Sequence, residues 1–92
     1  AVDDVLWFEA SRNQVRAHLA DTSHLLSMSI GALVERLDPT RFVRCHRSSI
    51  VNLAAVREVQ AWFGGDYIAV LRNGVHVRVS RTHREAMLRP IV

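Results

Sequence analysis

The hydrophobic residues of this chain fall mostly in short runs with a period of two, the pattern of strands with one face buried. Val5-Leu6-Trp7-Phe8 is a continuous apolar run, as expected of a strand covered on both faces, and Glu9 ends it. A polar connection, Ala10-Ser11-Arg12-Asn13-Gln14, leads into Val15-Arg16-Ala17-His18-Leu19. There Val15, Ala17 and Leu19 share one face and Arg16 and His18 the other, which predicts a half-buried strand. The two strands predict a hairpin with Arg12, Asn13 and Gln14 at its tip. Beyond the turn at Asp21-Thr22-Ser23, His24-Leu25-Leu26-Ser27-Met28 predicts a third strand.

One stretch has the helical period instead. Ser29 is an N-cap residue, and Ile30, Leu33, Val34 and Leu37 follow at i, i+3, i+4 and i+7 spacing. Asp38-Pro39 stops this helix, because proline lacks an N–H and restrains the residue before it. Gly31 weakens it by ~1 kcal/mol relative to alanine, so it is expected to survive by packing on the core.

The second half returns to strands. Phe42-Val43-Arg44-Cys45 is β-prone, breaks into the polar cluster His46-Arg47-Ser48-Ser49, and resumes as Ile50-Val51 before Asn52. Val56 to Trp62 and Tyr67 to Leu71 predict strands flanking the turn Phe63-Gly64-Gly65-Asp66. Asn73-Gly74 is the strongest hairpin signal, expected to form a type I′ turn. Val75-His76-Val77-Arg78-Val79-Ser80 then alternates, with the valines inward. Thr82-x-x-Glu85 has the form of a capping box, opening a short C-terminal helix that ends before Pro90. The expected fold is mostly β, antiparallel, with one packed helix and a short terminal one, as a single domain over residues 1–92.

Charge sharpens the picture. The 92 residues carry a net charge of +3, and all 12 basic residues are arginine. A pI near 10.4 is in the range of nucleic-acid-binding domains. The arginine fork makes bidentate contacts to phosphate and guanine that lysine cannot copy; a GC-rich coding sequence is the better explanation of the arginine-only count, so where the arginines sit matters more than their number. No apolar run approaches the ~20 residues of a membrane-spanning helix. The acidic start Ala1-Val2-Asp3-Asp4 is unlike a signal peptide, and the single cysteine suits a reducing compartment. A cytoplasmic location, with no membrane contact, is the expectation.

Catalysis finds no foothold. Strand alternation puts Cys45 and His46 on opposite faces, too far apart for a nucleophilic pair, and makes Cys45 a small core residue. Ser48 and Ser49 lack the Gly-x-Ser-x-Gly setting of a strained nucleophile. The histidines at 18, 24, 46, 76 and 83 show no short ligand pair. Neither enzyme activity, metal nor cofactor is expected.

Three segments, in order, resemble the LytTR family of bacterial DNA-binding domains. They are Val5-Leu6-Trp7-Phe8-Glu9 with its polar loop, Phe42-Val43-Arg44-Cys45-His46-Arg47-Ser48-Ser49-Ile50-Val51-Asn52, and Asn73-Gly74 running on to Val79-Ser80-Arg81. The second is close to the family's Phe-x-Arg-x-His-Arg-Ser-x-x-Val-Asn signature. The resemblance implies an elongated antiparallel fold of about ten short strands. It also implies the output domain of a response regulator, following an N-terminal receiver or sensor domain, with loops entering successive major grooves of duplex DNA. Paired direct repeats are the implied target, with a domain monomeric alone and dimeric when activated or on DNA.

Carried over residue by residue, the base contacts would be Arg47, Arg81, Asn13 and Gln14. His46, Ser48, Asn52 and Ser80 would touch phosphate or brace the loops. Arg12, Arg16, Arg44, Arg78 and Arg84 are candidates for contacts to the DNA backbone, which position a protein without reading sequence. The competing class is a protein-interaction module using an exposed sheet edge. RNA binding by base stacking is disfavoured, since Trp7, Phe8 and Phe42 are expected in the core, leaving Trp62, Phe63 and Tyr67.

Overall fold

A computed structural model describes residues 2–83. Strands β1 (Trp7–Ser11), β2 (Gln14–His18), β3 (Ser23–Leu26), β4 (Phe42–His46) and β5 (Ser49–Asn52) form one antiparallel sheet in the order β3-β2-β1-β5-β4. Strands β6 (Val56–Ala61), β7 (Tyr67–Leu71) and β8 (His76–Val79) form a second, in sequence order. The eight strands among the described residues compare with the roughly ten that the resemblance implies. The principal extents are 32 × 24 × 22 Å.

Two cores hold these layers together. Leu6, Val43, Cys45 and Val51 of the larger sheet meet Ala69, Leu71, Val77 and Val79 of the smaller one. On the other face, Phe8, Val15, Ala17, Phe42 and Ile50 are covered by Leu33 of α1 (Ile30–Val34) and, partly, by Ile30 and Leu37. Strand β5 lies between the two cores, so all four of its residues are buried, Ser49 and Asn52 included. Cys45 is fully buried, and burial pushes its thiol pKa up to about 12, which keeps it protonated and inert.

Several expectations change in detail. Glu9 does not end β1, which stays paired with β2 as far as Ser11; its carboxylate accepts from His18 Nε2 at 2.9 Å across the strand pair. Trp7 is only half-buried and stacks on the His18 ring at 4.5 Å. Gln14 is the first residue of β2, paired with Ser11, so the β1–β2 tip is Arg12 and Asn13 alone. The Ser29 hydroxyl does cap α1, accepting from the Ala32 N–H at 3.1 Å. However, the helix closes at Val34, whose side chain is exposed, and Leu37 reaches the core from the segment beyond it.

The Asn73-Gly74 hairpin forms, but not as a type I′ turn. Gly74 has φ of 87° while Asn73 is not at positive φ, and the Gly74 N–H donates to the Leu71 carbonyl at 2.9 Å. This is the longer connection in which a left-handed glycine follows the turn. A 3-10 turn at Leu53–Ala55, with Asn52 as its cap, joins the two sheets and has no counterpart in the sequence-based reading. The terminal helix, its capping box and Arg84 lie outside the described residues.

Candidate nucleic-acid interface

Strand direction gathers four turns at one end of the molecule. Glu9 of β1 pairs with Ser49 of β5, which sets the Arg12 tip beside the loop carrying Arg47 and Ser48. The Ala10 N–H seals that neighbourhood by donating to the Ser48 carbonyl at 2.8 Å. The end of β8 joins through the Ser80 N–H, which donates to the Cys45 carbonyl at 2.8 Å. Tyr67 pairs with Val79, so the β6–β7 turn arrives at the same place.

The Arg47 loop is built by a β-bulge. The β4–β5 register shifts between Arg44 and His46, making Cys45 the extra residue. A bulge adds twist and re-aims the chain beyond it, here the two-residue tip. Arg44, a candidate for a backbone contact, instead turns back: its Nη2 donates to the Arg47 carbonyl, and its Nε is buried without a partner. His46 Nδ1 lies 2.9 Å from Ser48 Oγ and accepts from the Ser48 N–H at 3.3 Å. That acceptor role assigns the proton of the neutral ring to Nε2.

His46 is held below the ordinary histidine pKa, first by burial and then by the positive charges of Arg78, Arg47 and His83, with Asp66 opposing. The neutral ring therefore contributes stability above the unfolded value near 6.5, and that contribution is lost as pH falls through the lower folded value. A phosphate close by has the opposite effect. In an NMR titration His46 is expected to titrate below 6.5 in the free protein and to shift upward on adding duplex DNA. An ordinary value in the free protein would contradict this picture of its surroundings.

Asp66 organises the third loop. Its Oδ1 accepts the Arg81 N–H at 2.7 Å, and its Oδ2 accepts from Arg78 Nε at 3.0 Å. These bonds, Arg78's side chain first and the Arg81 amide next, hold its carboxyl below the usual range. Ser80 Oγ contacts His83 Nδ1 at 2.6 Å and Thr82 Oγ1 at 3.1 Å, while the His83 N–H closes a turn onto the Ser80 carbonyl. Arg81 thus leaves a turn fixed on both sides.

Of the candidate residues, Arg12, Asn13, Arg47 and Arg81 are exposed at this end, with His46, Ser48 and Ser80 bonded behind them. Gln14 is exposed at the adjoining end of β2. The guanidinium groups of Arg12, Arg47 and Arg81 form no ion pair among the described residues. Arg78 is committed to Asp66, and Arg16 lies out on the sheet, donating to Ser23 Oγ at 3.1 Å. Asn52 sits at the far end of β5, 2% exposed. Its Nδ2 donates to the carbonyls of Val5 at 2.9 Å and Asp3 at 3.3 Å, and its Oδ1 accepts from the Ala54 N–H at 3.0 Å. These bonds tie the entry to β1 and the turn after β5 to this buried amide, at the end of β5 away from Ser49 and the Arg47 loop. Near it, Asp3, Asp4 and Asp21 share a groove with Arg72, so the two ends differ in charge.

Sequence reasoning missed Asp66 as a positioning residue. Only the β7–β8 register, which brings it level with Ser80, reveals it.

A two-sheet β domain with arginines on interlocked loops at one end defines a class, and comparison with known proteins identifies it. The LytTr DNA-binding domain model matches residues 1–90, and the chain belongs to this family. The transcriptional regulatory protein YpdB of Escherichia coli (strain K12) is 34% identical over 82 residues, covering 88% of this chain and 34% of that protein. The transcriptional regulatory protein LytR of Staphylococcus aureus (strain N315) is 48% identical over 48 residues, covering 52% of this chain and 20% of that protein. The chain thus spans about a third or less of these relatives. Among solved structures, the LytTr DNA-binding domain of a methyl-accepting/DNA response regulator from Bacillus cereus superposes with a TM-score of 0.89. That match covers 98% of this chain and 83% of that one at 21% identity, a likeness of fold.

Proposed function

We propose that this domain binds duplex DNA sequence-specifically through the loops bearing Arg12 and Asn13, Arg47, and Arg81. The observation that carries the proposal is that the loops bearing Arg12, Arg47 and Arg81 meet at one end, each arginine exposed and its guanidinium free of ion pairs among the described residues. Cations left open on rigid turns suit phosphate and guanine acceptors. Arg12 adds support, since it is held at φ of 59°. A non-glycine residue there costs roughly 1–2 kcal/mol, and such strain clusters at functional sites.

Arg47 and Arg81 read bases in the major groove, Asn13 and Gln14 supply further base contacts, and Arg12 holds phosphate. His46, Ser48 and Ser80 fix the loops. In the full protein the domain serves as the output of a cytoplasmic regulator, following a receiver or sensor domain that pairs two copies on direct repeats. Alone it is a monomer.

The salt dependence of duplex binding tests this reading against the sheet-edge alternative. Each neutralised phosphate contributes about −0.9 to the slope of log K against log salt, so a slope of about −3 or steeper is expected. A slope near zero would leave the exposed edge strand β6 as the place to look for a protein partner.

A further inference from the structure

Trp62 and Phe63 stand out at the cationic end. They are 53% and 78% exposed, the highest values of any large hydrophobic residue described, and their rings meet edge-on at 5.1 Å. The turn that carries them is closed. The Trp62 N–H donates to the Asp66 carbonyl at 2.8 Å, and the Asp66 N–H donates to the Phe63 carbonyl at 3.1 Å. Gly64 and Gly65, at φ of 63° and 85°, allow the tight return. The carboxylate of that same Asp66 holds the Arg81 N–H. The aromatic pair and Arg81 are therefore two ends of one hydrogen-bonded unit.

Large apolar groups kept in water on a rigid turn mark a contact surface, and here the surface continues into the arginine loops. The duplex that suits those arginines displays one apolar group on its major-groove base edges, the C5-methyl of thymine. We propose that Phe63, backed by Trp62, packs on a thymine methyl beside the base pair read by Arg81. The domain would then select for thymine at a position where no hydrogen bond is made.

This inference rests on the DNA reading above, and its test separates the two. A duplex preferred by the wild-type domain is resynthesised with each thymine in turn replaced by deoxyuracil, which removes only the methyl group. Binding is measured for wild type, Phe63→Ala and Phe63→Leu, with Arg81→Ala locating the neighbouring base pair. The wild type is expected to lose about fourfold in affinity at one thymine, the scale of one buried methyl. Phe63→Ala should bind several-fold more weakly and be indifferent to that deoxyuracil, while Phe63→Leu keeps the sensitivity. Phe63→Ala binding as tightly as wild type, or remaining as sensitive to every deoxyuracil, would overturn the inference and leave the DNA reading standing. Failure of the wild type to prefer any duplex would bring down both.

Discussion

Replacing Arg47 with alanine is expected to abolish discrimination at one base pair while leaving the fold intact. The side chain is exposed at the tip after the Cys45 bulge, and the bonds that shape this loop do not use it. Arg44 holds the Arg47 carbonyl, Ala10 holds the Ser48 carbonyl, and His46 holds Ser48; all survive the substitution. Stability should move by no more than ~0.5 kcal/mol, as for surface changes generally. A bidentate arginine–guanine pair is worth ~1–3 kcal/mol, so preference at that position should fall by about 5- to 150-fold. Arg47→Lys keeps the charge and loses the fork. It should retain most affinity for arbitrary duplex and still lose the discrimination. Competition binding with duplexes altered one base pair at a time checks both variants. Equal weakening on every sequence by Arg47→Ala would make Arg47 a phosphate contact instead.

The largest expected loss of stability comes from Asn52→Ala. Three bonds from this buried amide tie β5 to the chain entering β1 and start the turn between the sheets. Alanine leaves the Asp3 and Val5 carbonyls and the Ala54 N–H short of a partner and opens a small cavity. Each buried group left unsatisfied costs ~1–3 kcal/mol, and some will recruit water. The net loss is expected to be about 2–4 kcal/mol, which for a domain of this size lowers the melting temperature by about 10–20 °C. The folded fraction should bind DNA as tightly as the wild type, because Asn52 lies at the end away from the arginine loops. Thermal melts paired with binding well below the melting point separate the effects. Unchanged stability with weakened binding would return Asn52 to the interface.

Much of the fold was legible because half-buried strands alternate. Val15, Ala17, Val77 and Val79 face inward as their spacing predicts, and the continuous apolar run Tyr67–Leu71 forms a strand at the bounds its sequence predicts. The misses share a cause: a local pattern overruled by a cross-strand or tertiary contact. Glu9 continues β1 because the ladder with β2 runs on to Ser11, and the His18 ring hydrogen-bonds its carboxylate from the neighbouring strand. The helix stops early because Leu37 finds the core without helical geometry. Arg47 and Arg81 could be named from the sequence motif, but their convergence could not. It depends on the sheet order β1-β5-β4, on the Cys45 bulge, and on the Asp66 carboxylate reaching Arg81 from 15 residues away. No sequence window contains all three.

Selection from a randomised duplex pool, run in parallel on the wild-type domain and Arg47→Ala, tests base reading by this end of the molecule most directly. A short recovered motif that loses its information at one position in the variant is the expected result. Enrichment no higher than background for the wild type at moderate salt, or identical motifs from both proteins, would contradict it.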